Sequence, residues 1–198
     1  MAGISAILTA AGESSRMGRP KALLPWHGVT LLEYQVRSLL DSGVSEVVVV
    51  LGYRADDAVP YAIGHGVRCV TNPDYRLGRS TSVRVGLGEI GPDAEGILLL
   101  AVDQPRSSEI VSAVVRAHRR TDALITSPRY RGRGGHPLIF SASLKGELEG
   151  ISEEGQGVRE VFQSHRDEVV ELEIDDPLVR LDINTPEEYE EARERFGA

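Results

Sequence analysis

Runs of consecutive apolar residues predict the strands of a central sheet. Residues 46–51 and 96–102 are too uniformly apolar to leave one face in water, so we expect helices on both faces of the sheet. Shorter apolar runs that end at glycine or polar residues also favour buried strands. They predict further strands over residues 3–9, 67–71, 123–126, 136–140, 168–174 and 178–183.

Apolar positions with helical spacing lie between these strands. One such group predicts a helix over residues 30–42 that ends at Gly43. Further helices are predicted over residues 80–90, 107–120, 142–149 and 157–165, and from Thr185 onwards. Strands that alternate with helices through short connections are typical of a doubly wound, mostly parallel α/β sheet. We expect a single domain over residues 1–198, with an excursion at about 128–165 on the same sheet.

Composition and charge narrow the function classes. Apolar residues make up 41% of the 198-residue chain and charged residues 26%, which excludes a disordered protein. The net charge of -8 argues against a nucleic-acid partner but allows a local basic pocket for a small anion. No apolar run is long enough for a membrane span, and no signal peptide is expected. Cys69, the single cysteine, is predicted to be a small buried strand residue and fits a reducing cytoplasm.

A glycine-rich segment, Thr9 to Lys21, follows the first predicted strand. Ligands of such sheets bind beyond the carboxyl ends of the strands. Gly12 and Gly18 would let backbone amides turn towards an anion, and Arg16 and Lys21 would add positive charge. The spacing matches neither the Walker A loop nor the dinucleotide-binding fingerprint. The residues alone leave open an anion-binding loop or an ordinary polar connection.

Two acidic residues follow other strands at the same predicted edge. Asp103 ends the strand at 96–102, and Asp182 ends the strand at 178–183. Carboxylates suit Mg²⁺, which usually takes one or two of them together with substrate phosphates. Aspartate at these places is also a common cap of a turn or helix. Both interpretations stay open on the residues alone.

The motifs in the glycine-rich segment resemble those of a known family. Ala10-Ala11-Gly12-x-Ser14-x-Arg16-Met17-Gly18-x-x-Lys21, with Leu24-Pro25 after it, resembles the signature of nucleotidyltransferases related to the molybdenum cofactor cytidylyl- and guanylyltransferases. Later motifs of that family follow in its usual order over nearly the whole chain. They are Asn72-Pro73, Gly78–Val83, Asp103-Gln104-Pro105, Gly135-His136-Pro137 and Asp182–Glu187. The resemblance implies a nucleotide-diphospho-sugar transferase-like (Rossmann-like) fold.

The resemblance also implies the activity and its residues. It implies transfer of CMP from CTP to molybdopterin, molybdenum cofactor or a similar phosphorylated acceptor, with Mg²⁺ on Asp103 and Asp182 and release of pyrophosphate. Lys21, Arg16 and Asp103 would be catalytic, and whether Asn184 joins the metal site stays open. The implied nucleotide-binding residues are Ala10, Ala11, Gly12, Ser14, Ser15, Arg16, Met17, Gly18, Lys21, Asn72, Ser80 and Ser82.

The choice of base depends on one residue. Ala11 stands where the guanylyltransferases usually carry glycine, and its methyl group would favour a pyrimidine, hence CTP over GTP. The alternatives are a GTP-dependent guanylyltransferase and, from another class, a nucleotide-binding module without catalysis. Asn72 is expected to contact the base or to turn the chain, and Ser80 to cap a helix or bind an anion.

The acceptor side departs from the family pattern. Arg133, Gly135 and His136 are the expected acceptor-binding residues. Gly134 stands where relatives commonly have a basic residue, and Gly155 replaces the aspartate of a Gly-Asp-x-Gly-x-Arg motif. The resemblance also implies a molybdoenzyme, or its maturation factor, as the partner that receives the finished cofactor.

Overall fold

A computed structural model describes residues 3–198 and contains a mixed eight-stranded sheet with helices on both faces. The strands are β1 (Gly3–Ala10), β2 (Pro25–Trp26), β3 (Val29–Thr30), β4 (Glu46–Leu51), β5 (Val67–Thr71), β6 (Ala94–Ala101), β7 (Ile125–Tyr130), β8 (Arg133–Gly134), β9 (Leu138–Ser141) and β10 (Val169–Glu173). The helices are α1 (Leu31–Asp41), α2 (Ala55–Ala58), α3 (Arg79–Glu89), α4 (Ser108–Thr121), α5 (Lys145–Glu149), α6 (Val158–Ser164) and α7 (Pro186–Phe196).

The order of strands in the sheet is β10-β7-β9-β6-β1-β4-β5, and β8 pairs with β7. Pairing is parallel for β1 with β4 and β6, for β4 with β5 and for β7 with β10. The exceptions are β9, which runs antiparallel between β6 and β7, and β8. The predicted mostly parallel α/β sheet is therefore confirmed.

Alternate residues of β4 show that both faces of the sheet are covered. Val47 and Val49 belong to the core cluster that includes residues of α1, α4 and α7. Val48 and Val50 belong to the cluster on the other face, with residues of α3, α5 and α6. The apolar strand β4 is thus buried on both faces of the sheet, as its sequence predicts. Trp26 is also buried, at 1% exposure.

The structure corrects three local predictions. Residues 178–183 do not form a strand: Pro177–Arg180 is a 3-10 helix, because Pro177 fixes its backbone angle and the Asp176 side chain accepts a hydrogen bond from Leu178 N. The strand predicted over 123–126 lies further along the chain, at β7. Cys69 is exposed rather than buried, since β5 is an edge strand of the sheet.

None of the helices in residues 3–198 combines the length and apolar character needed to cross a membrane.

Candidate active site

The glycine-rich loop lines a cavity of about 330 Å³ beyond the carboxyl ends of β1 and β6. We call it the loop cavity. Its other walls come from the start of α3 and from the segments that carry Tyr53, Tyr75, Asp103 and Asn184. The predicted nucleotide-binding residues that line it are Ala10, Ala11, Gly12, Ser14, Ser15, Arg16, Lys21 and Ser82.

The loop leaves several backbone amides free to bind an anion. The carbonyl of Ser14 accepts hydrogen bonds from Met17 N at 2.9 Å and Gly18 N at 3.2 Å, and Ser14 Oγ accepts one from Lys21 N at 3.1 Å. By contrast, the amides of residues 12, 13, 15 and 16 donate to no other residue in the described chain 3–198. Successive unpaired amides form the concavity that binds phosphate groups.

Met17 and Gly18 support this loop from outside the cavity. Met17 is 5% exposed and packs in the core cluster beside α1. Gly18 has a φ of 71°, a backbone conformation that favours glycine. Neither residue lines the loop cavity. Both residues therefore shape the loop, and the expectation that they contact the nucleotide stays a prediction.

A lysine with two oxygen partners lies in the loop cavity. Lys21 Nζ donates to Asp103 Oδ2 at 2.8 Å and to Asn184 Oδ1 at 3.0 Å. The Lys21 and Asp103 side chains are only 12% and 21% exposed, which limits screening of the pair by water. Carboxylate and amide oxygens that already hold a cation are the donors Mg²⁺ prefers, so Asp103 and Asn184 fit such an ion.

The backbone around Asn184 fixes its position. Ile183 N donates to the carbonyl of Asp103 at 2.8 Å, which joins the two loops. Thr185 caps α7 in a capping box with Glu188, whose carboxylate also accepts from Asn184 N at 2.7 Å. Asn184 is therefore held by the start of a helix and by the neighbouring loop.

Asp182 does not face the loop cavity. It is exposed and does not line the loop cavity. Its predicted place depended on a strand over 178–183, and the 3-10 helix at Pro177–Arg180 removes that strand. Asn184, two residues further on, lies beside Lys21 instead. Within residues 3–198 no three His, Cys, Asp or Glu side chains cluster as metal ligands, so substrate phosphates and water would supply the remaining ligands of such an ion.

Asn72 supports α3 instead of lining the loop cavity. It is 1% exposed, and its side-chain amide donates to Thr81 Oγ1 at 2.8 Å and Ser82 Oγ at 2.9 Å. Its side-chain oxygen accepts from Asp74 N at 2.9 Å. The expected contact with the base is therefore not supported, because these hydrogen bonds hold the amide inside the protein.

Two tyrosines that sequence reasoning missed line the loop cavity. Tyr53 N donates to the carbonyl of Ala11 at 3.0 Å. A Cβ atom on Gly52 would lie 2.7 Å from the Ala11 carbonyl oxygen and 2.9 Å from Tyr75 Cβ, so these three residues pack tightly. The position of Tyr53 just after β4 was the available signal, because ligands bind where parallel strands end. Both are aromatic side chains, the kind on which a base can stack.

A second cavity, of about 430 Å³, adjoins the first. We call it the sheet cavity. Apolar residues of β6, α3 and α6, including Leu99, Val83 and Phe162, form much of its wall. Of the predicted acceptor-binding residues, Gly135 and His136 line it, whereas Arg133 lies exposed on β8 and does not. Ser80 also lines this cavity and not the loop cavity.

The neighbouring residues fix the protonation state of His136. Burial, followed by the charge of Arg106, lowers the pKa of His136 to about 4, so the ring is neutral at neutral pH. Gln104 Oε1 accepts from Ala101 N at 3.2 Å, which leaves Gln104 Nε2 to donate to His136 Nδ1 at 3.1 Å. The proton of His136 is therefore on Nε2, and the ring can donate one hydrogen bond to a ligand.

A glutamate from the excursion binds the start of α3. Glu153 Oε1 accepts a hydrogen bond from Ser80 N at 2.6 Å. Hydrogen bonds from the Ser80 backbone and side chain, and the charge of Arg79, lower the pKa of Glu153. A Cβ atom on Gly78, whose φ is 115°, would lie 2.3 Å from this carboxyl group, so glycine is required there. Ser80 is thus inside the helix and does not cap it.

The two departures from the family pattern have different surroundings. Gly134 lines the sheet cavity, and a Cβ atom there would meet nothing within 4 Å. A Cβ atom on Gly155 would lie 2.2 Å from Glu160 Oε2, at the far end of a flexible side chain. The first departure therefore leaves open space where relatives would place a basic side chain.

Comparisons with known proteins agree over most of the chain. Residues 6–169 match the family described as MobA-like NTP transferase domain. The chain is 29% identical to the molybdenum cofactor cytidylyltransferase of Escherichia coli strain K12, with 99% of this chain and 98% of that protein covered. It is 32% identical to nicotine blue oxidoreductase of Paenarthrobacter nicotinovorans, with 93% of this chain and 94% of that protein covered.

Solved structures show the same arrangement. The crystal structure of Rv0371c from Mycobacterium tuberculosis H37Rv is similar, with a TM-score of 0.83 and 31% identity over 98% of each chain. A complex of Rv0371c with manganese has a TM-score of 0.77 and 30% identity, again over 98% of each chain. The similarity thus extends over nearly the whole chain.

Proposed function

The chain belongs to the family of MobA-like NTP transferase domains and is a nucleotidyltransferase, and on that premise we propose that it transfers CMP from CTP to a molybdopterin-type acceptor. The observation that carries the proposal is one cavity lined by unpaired loop amides, Arg16, Lys21, Asp103 and Asn184, next to a second, more apolar cavity. The triphosphate would occupy the loop cavity and the acceptor the sheet cavity.

The proposed reaction is an in-line attack on the α-phosphorus of CTP. An ionised phosphate oxygen of the acceptor forms the new bond, and the bond from the α-phosphorus to the leaving pyrophosphate breaks. No general base is needed, because the attacking phosphate has already lost its proton. Arg16, Lys21 and the loop amides offset the charge on the phosphates, and positioning supplies much of the remaining rate.

The proposed reaction uses a divalent metal ion. Asp103 and Asn184 would hold Mg²⁺, with Asp182 as the alternative carboxylate that the family motif suggests. When bound, the ion would neutralise charge on the triphosphate and the departing pyrophosphate. The manganese complex of Rv0371c supports a divalent ion in this class of protein.

CTP is proposed over GTP for two reasons. Ala11 lines the loop cavity, and its methyl group, packed against Gly52, fills space that a glycine at this position would leave open to a larger base. The similarity to the cytidylyltransferase of Escherichia coli supports the same choice. The alternatives are transfer of GMP from GTP and a nucleotide-binding module without catalysis. A molybdoenzyme or its maturation factor is the proposed recipient of the product.

Two measurements test this proposal. Thermal unfolding is recorded with CTP, GTP, ATP and UTP in the presence of Mg²⁺, and CTP should raise the melting temperature most, because a ligand that binds only the folded state stabilises it. Pyrophosphate release is then measured with CTP and molybdopterin. Selective stabilisation by GTP would show that the base is wrong, and binding without pyrophosphate release would favour the non-catalytic module.

A further inference from the structure

The two cavities have a common wall with a single charged residue. Among the described residues, Thr9, Arg79 and Ala101 line both cavities. Thr9 and Ala101 are register partners on the adjacent strands β1 and β6, so the backbone part of the wall is rigid. Arg79 is the first residue of α3 and supplies the only cation of the wall.

Transfer of a nucleotidyl group requires contact between ligands in the two cavities. This inference rests on the proposed function, in which the α-phosphate of the nucleotide and the attacking phosphate of the acceptor must meet at this wall. Two anions within a few ångströms repel each other strongly where water is partly excluded. A guanidinium group can contact oxygens of both phosphates at once, because its donors are arranged in a planar fork.

We propose that Arg79 is a catalytic residue that binds the acceptor phosphate and the α-phosphate of the nucleotide together at the boundary of the two cavities. Its contacts form as the acceptor oxygen bonds to the α-phosphorus and pyrophosphate leaves with its electron pair. Arg79 neither gains nor loses a proton. It offsets charge and fixes the line of attack.

The other basic residues of the site have different positions. Lys21 lines only the loop cavity, where Asp103 and Asn184 hold its ammonium group. Arg16 and Arg54 also line only the loop cavity, and Arg159 only the sheet cavity. None of these four contacts both spaces. Arg79 is therefore the basic residue whose position matches the transfer step, while Lys21 and Arg16 suit the triphosphate.

The contacts of Arg79 leave its side chain available. It is exposed, and its guanidinium group has no hydrogen bond or ion pair with any residue from 3 to 198. The base of its side chain is nevertheless fixed, because the Glu153 carboxylate binds Ser80 N and packs against Gly78. The charge of Arg79 acts on both Glu153 and His136, which lie on the side of the sheet cavity. An anchored, unpaired cation is what a shared phosphate contact needs.

The test compares variants of two arginines on the same helix. Transfer from CTP radiolabelled on its α-phosphate to molybdopterin is measured for the wild-type protein, Arg79→Gln, Arg79→Lys and Arg84→Gln. Arg84 is exposed on α3 and lines neither cavity, so its variant controls for loss of one surface charge. We expect kcat to fall about 100-fold or more in Arg79→Gln, the size of effect seen when one charge-stabilising donor is removed. Arg79→Lys should retain part of the rate, and Arg84→Gln all of it.

A second readout separates catalysis from nucleotide binding. Stabilisation by CTP in thermal unfolding should be nearly the same in Arg79→Gln and the wild type, because the loop amides and Lys21 are unchanged. Wild-type kcat in Arg79→Gln would overturn the inference, and so would a rate loss explained entirely by weaker CTP binding. If the wild type itself transfers no label, the proposed function fails first and the inference fails with it.

Discussion

The ammonium group of Lys21 is the most constrained charge in the loop cavity. Its partners Asp103 and Asn184 come from segments more than 80 and 160 positions away in the chain. The structure thus brings together a cation and two oxygen donors that the sequence shows only as separate motifs. In the proposed reaction, the same three groups would hold the triphosphate and its metal ion.

Replacing Lys21 tests this arrangement at the level of one residue. Lys21→Gln should lower pyrophosphate release about 100-fold or more, because the phosphates lose a fixed cation in a site partly shielded from water. The control is Lys145→Gln, since Lys145 is the only other lysine and pairs with Glu149 on α5. Normal turnover by Lys21→Gln would remove the proposed phosphate role.

His118 gives a prediction about pH. Burial lowers the pKa of His118, whose Nδ1 contacts Thr126 Oγ1 at 2.9 Å between α4 and β7. Because the folded state holds the proton less tightly than the unfolded state, the favourable contribution of this residue is complete above about pH 6.5. It is lost as the pH falls below that value towards the lowered pKa of the folded state.

The measurement is the free energy of unfolding in urea between pH 5 and pH 8. In the wild type the free energy of unfolding should decrease on the acid side of this range, and in His118→Gln this decrease should be smaller. His65→Gln serves as control, because His65 is exposed and lies away from the contact between α4 and β7. An identical acid slope in the wild type and His118→Gln would contradict this assignment.

At the scale of elements, α3 connects both cavities to the sheet. Its residue Gly86 lies so close to β1 that a Cβ atom there would be 2.6 Å from Ile7 Cγ2 and 3.1 Å from Val50 Cγ2. Gly88, on the same helix, has nothing within 4 Å of such an atom. The two glycines therefore differ in packing while they share the same secondary structure.

Two alanine substitutions exploit this difference. Gly86→Ala should destabilise the protein by about 1–3 kcal/mol, because an added methyl group forces buried side chains apart. Gly88→Ala should stabilise it by about 0.5–1 kcal/mol, since alanine loses less backbone entropy than glycine in a helix. Chemical denaturation measures both values. Equal effects would show that α3 does not pack against β1 as closely as described.

The elements also show what could be predicted from sequence and why. The strand at Glu46–Leu51 has the predicted bounds, because burial on both faces requires an unbroken apolar run. Residues 178–183 are apolar for a different reason: Val179 and Ile183 are buried as the chain crosses the end of the sheet without pairing. A hydrophobic pattern predicts which residues are buried, but it does not predict which segments form hydrogen bonds with each other.

In the candidate site, too, residues carried by a local motif could be predicted, and those that depend on contacts between distant segments could not. One contiguous motif carries the predicted loop residues that line the loop cavity, so their place there could be predicted: Ala10, Ala11, Gly12, Ser14, Ser15, Arg16 and Lys21. Two features could not be predicted: the position of Arg79 at the wall shared by the two cavities, and the presence of Asn184 rather than Asp182 in the loop cavity. Each depends on how distant segments of the chain meet. Asn72 shows the converse, because its motif indicated a ligand contact while its amide is used inside the protein.

At the scale of the whole molecule, one buried arginine connects three segments at the carboxyl edge of the sheet. Arg106 is 0% exposed, and its guanidinium group donates to the carbonyls of Pro105, His136 and Leu181 at 2.8–2.9 Å. Burial lowers its pKa to about 10, so it stays charged at neutral pH. Arg106 thereby joins the loop of Asp103, the wall of the sheet cavity and the segment that leads to Asn184.

Replacing this arginine should therefore affect stability and the site together. Arg106→Met leaves the His136 and Leu181 carbonyls without donors and should lower the free energy of unfolding by about 2–4 kcal/mol, although relief of a buried charge offsets part of the loss. The Mg²⁺ concentration needed for half-maximal turnover should rise, because the segments that carry Asp103 and Asn184 are no longer held in place relative to each other. Arg116→Met, at an exposed position of α4, should change neither quantity. If Arg106→Met lost stability with an unchanged Mg²⁺ requirement, Arg106 would support the fold without organising the site.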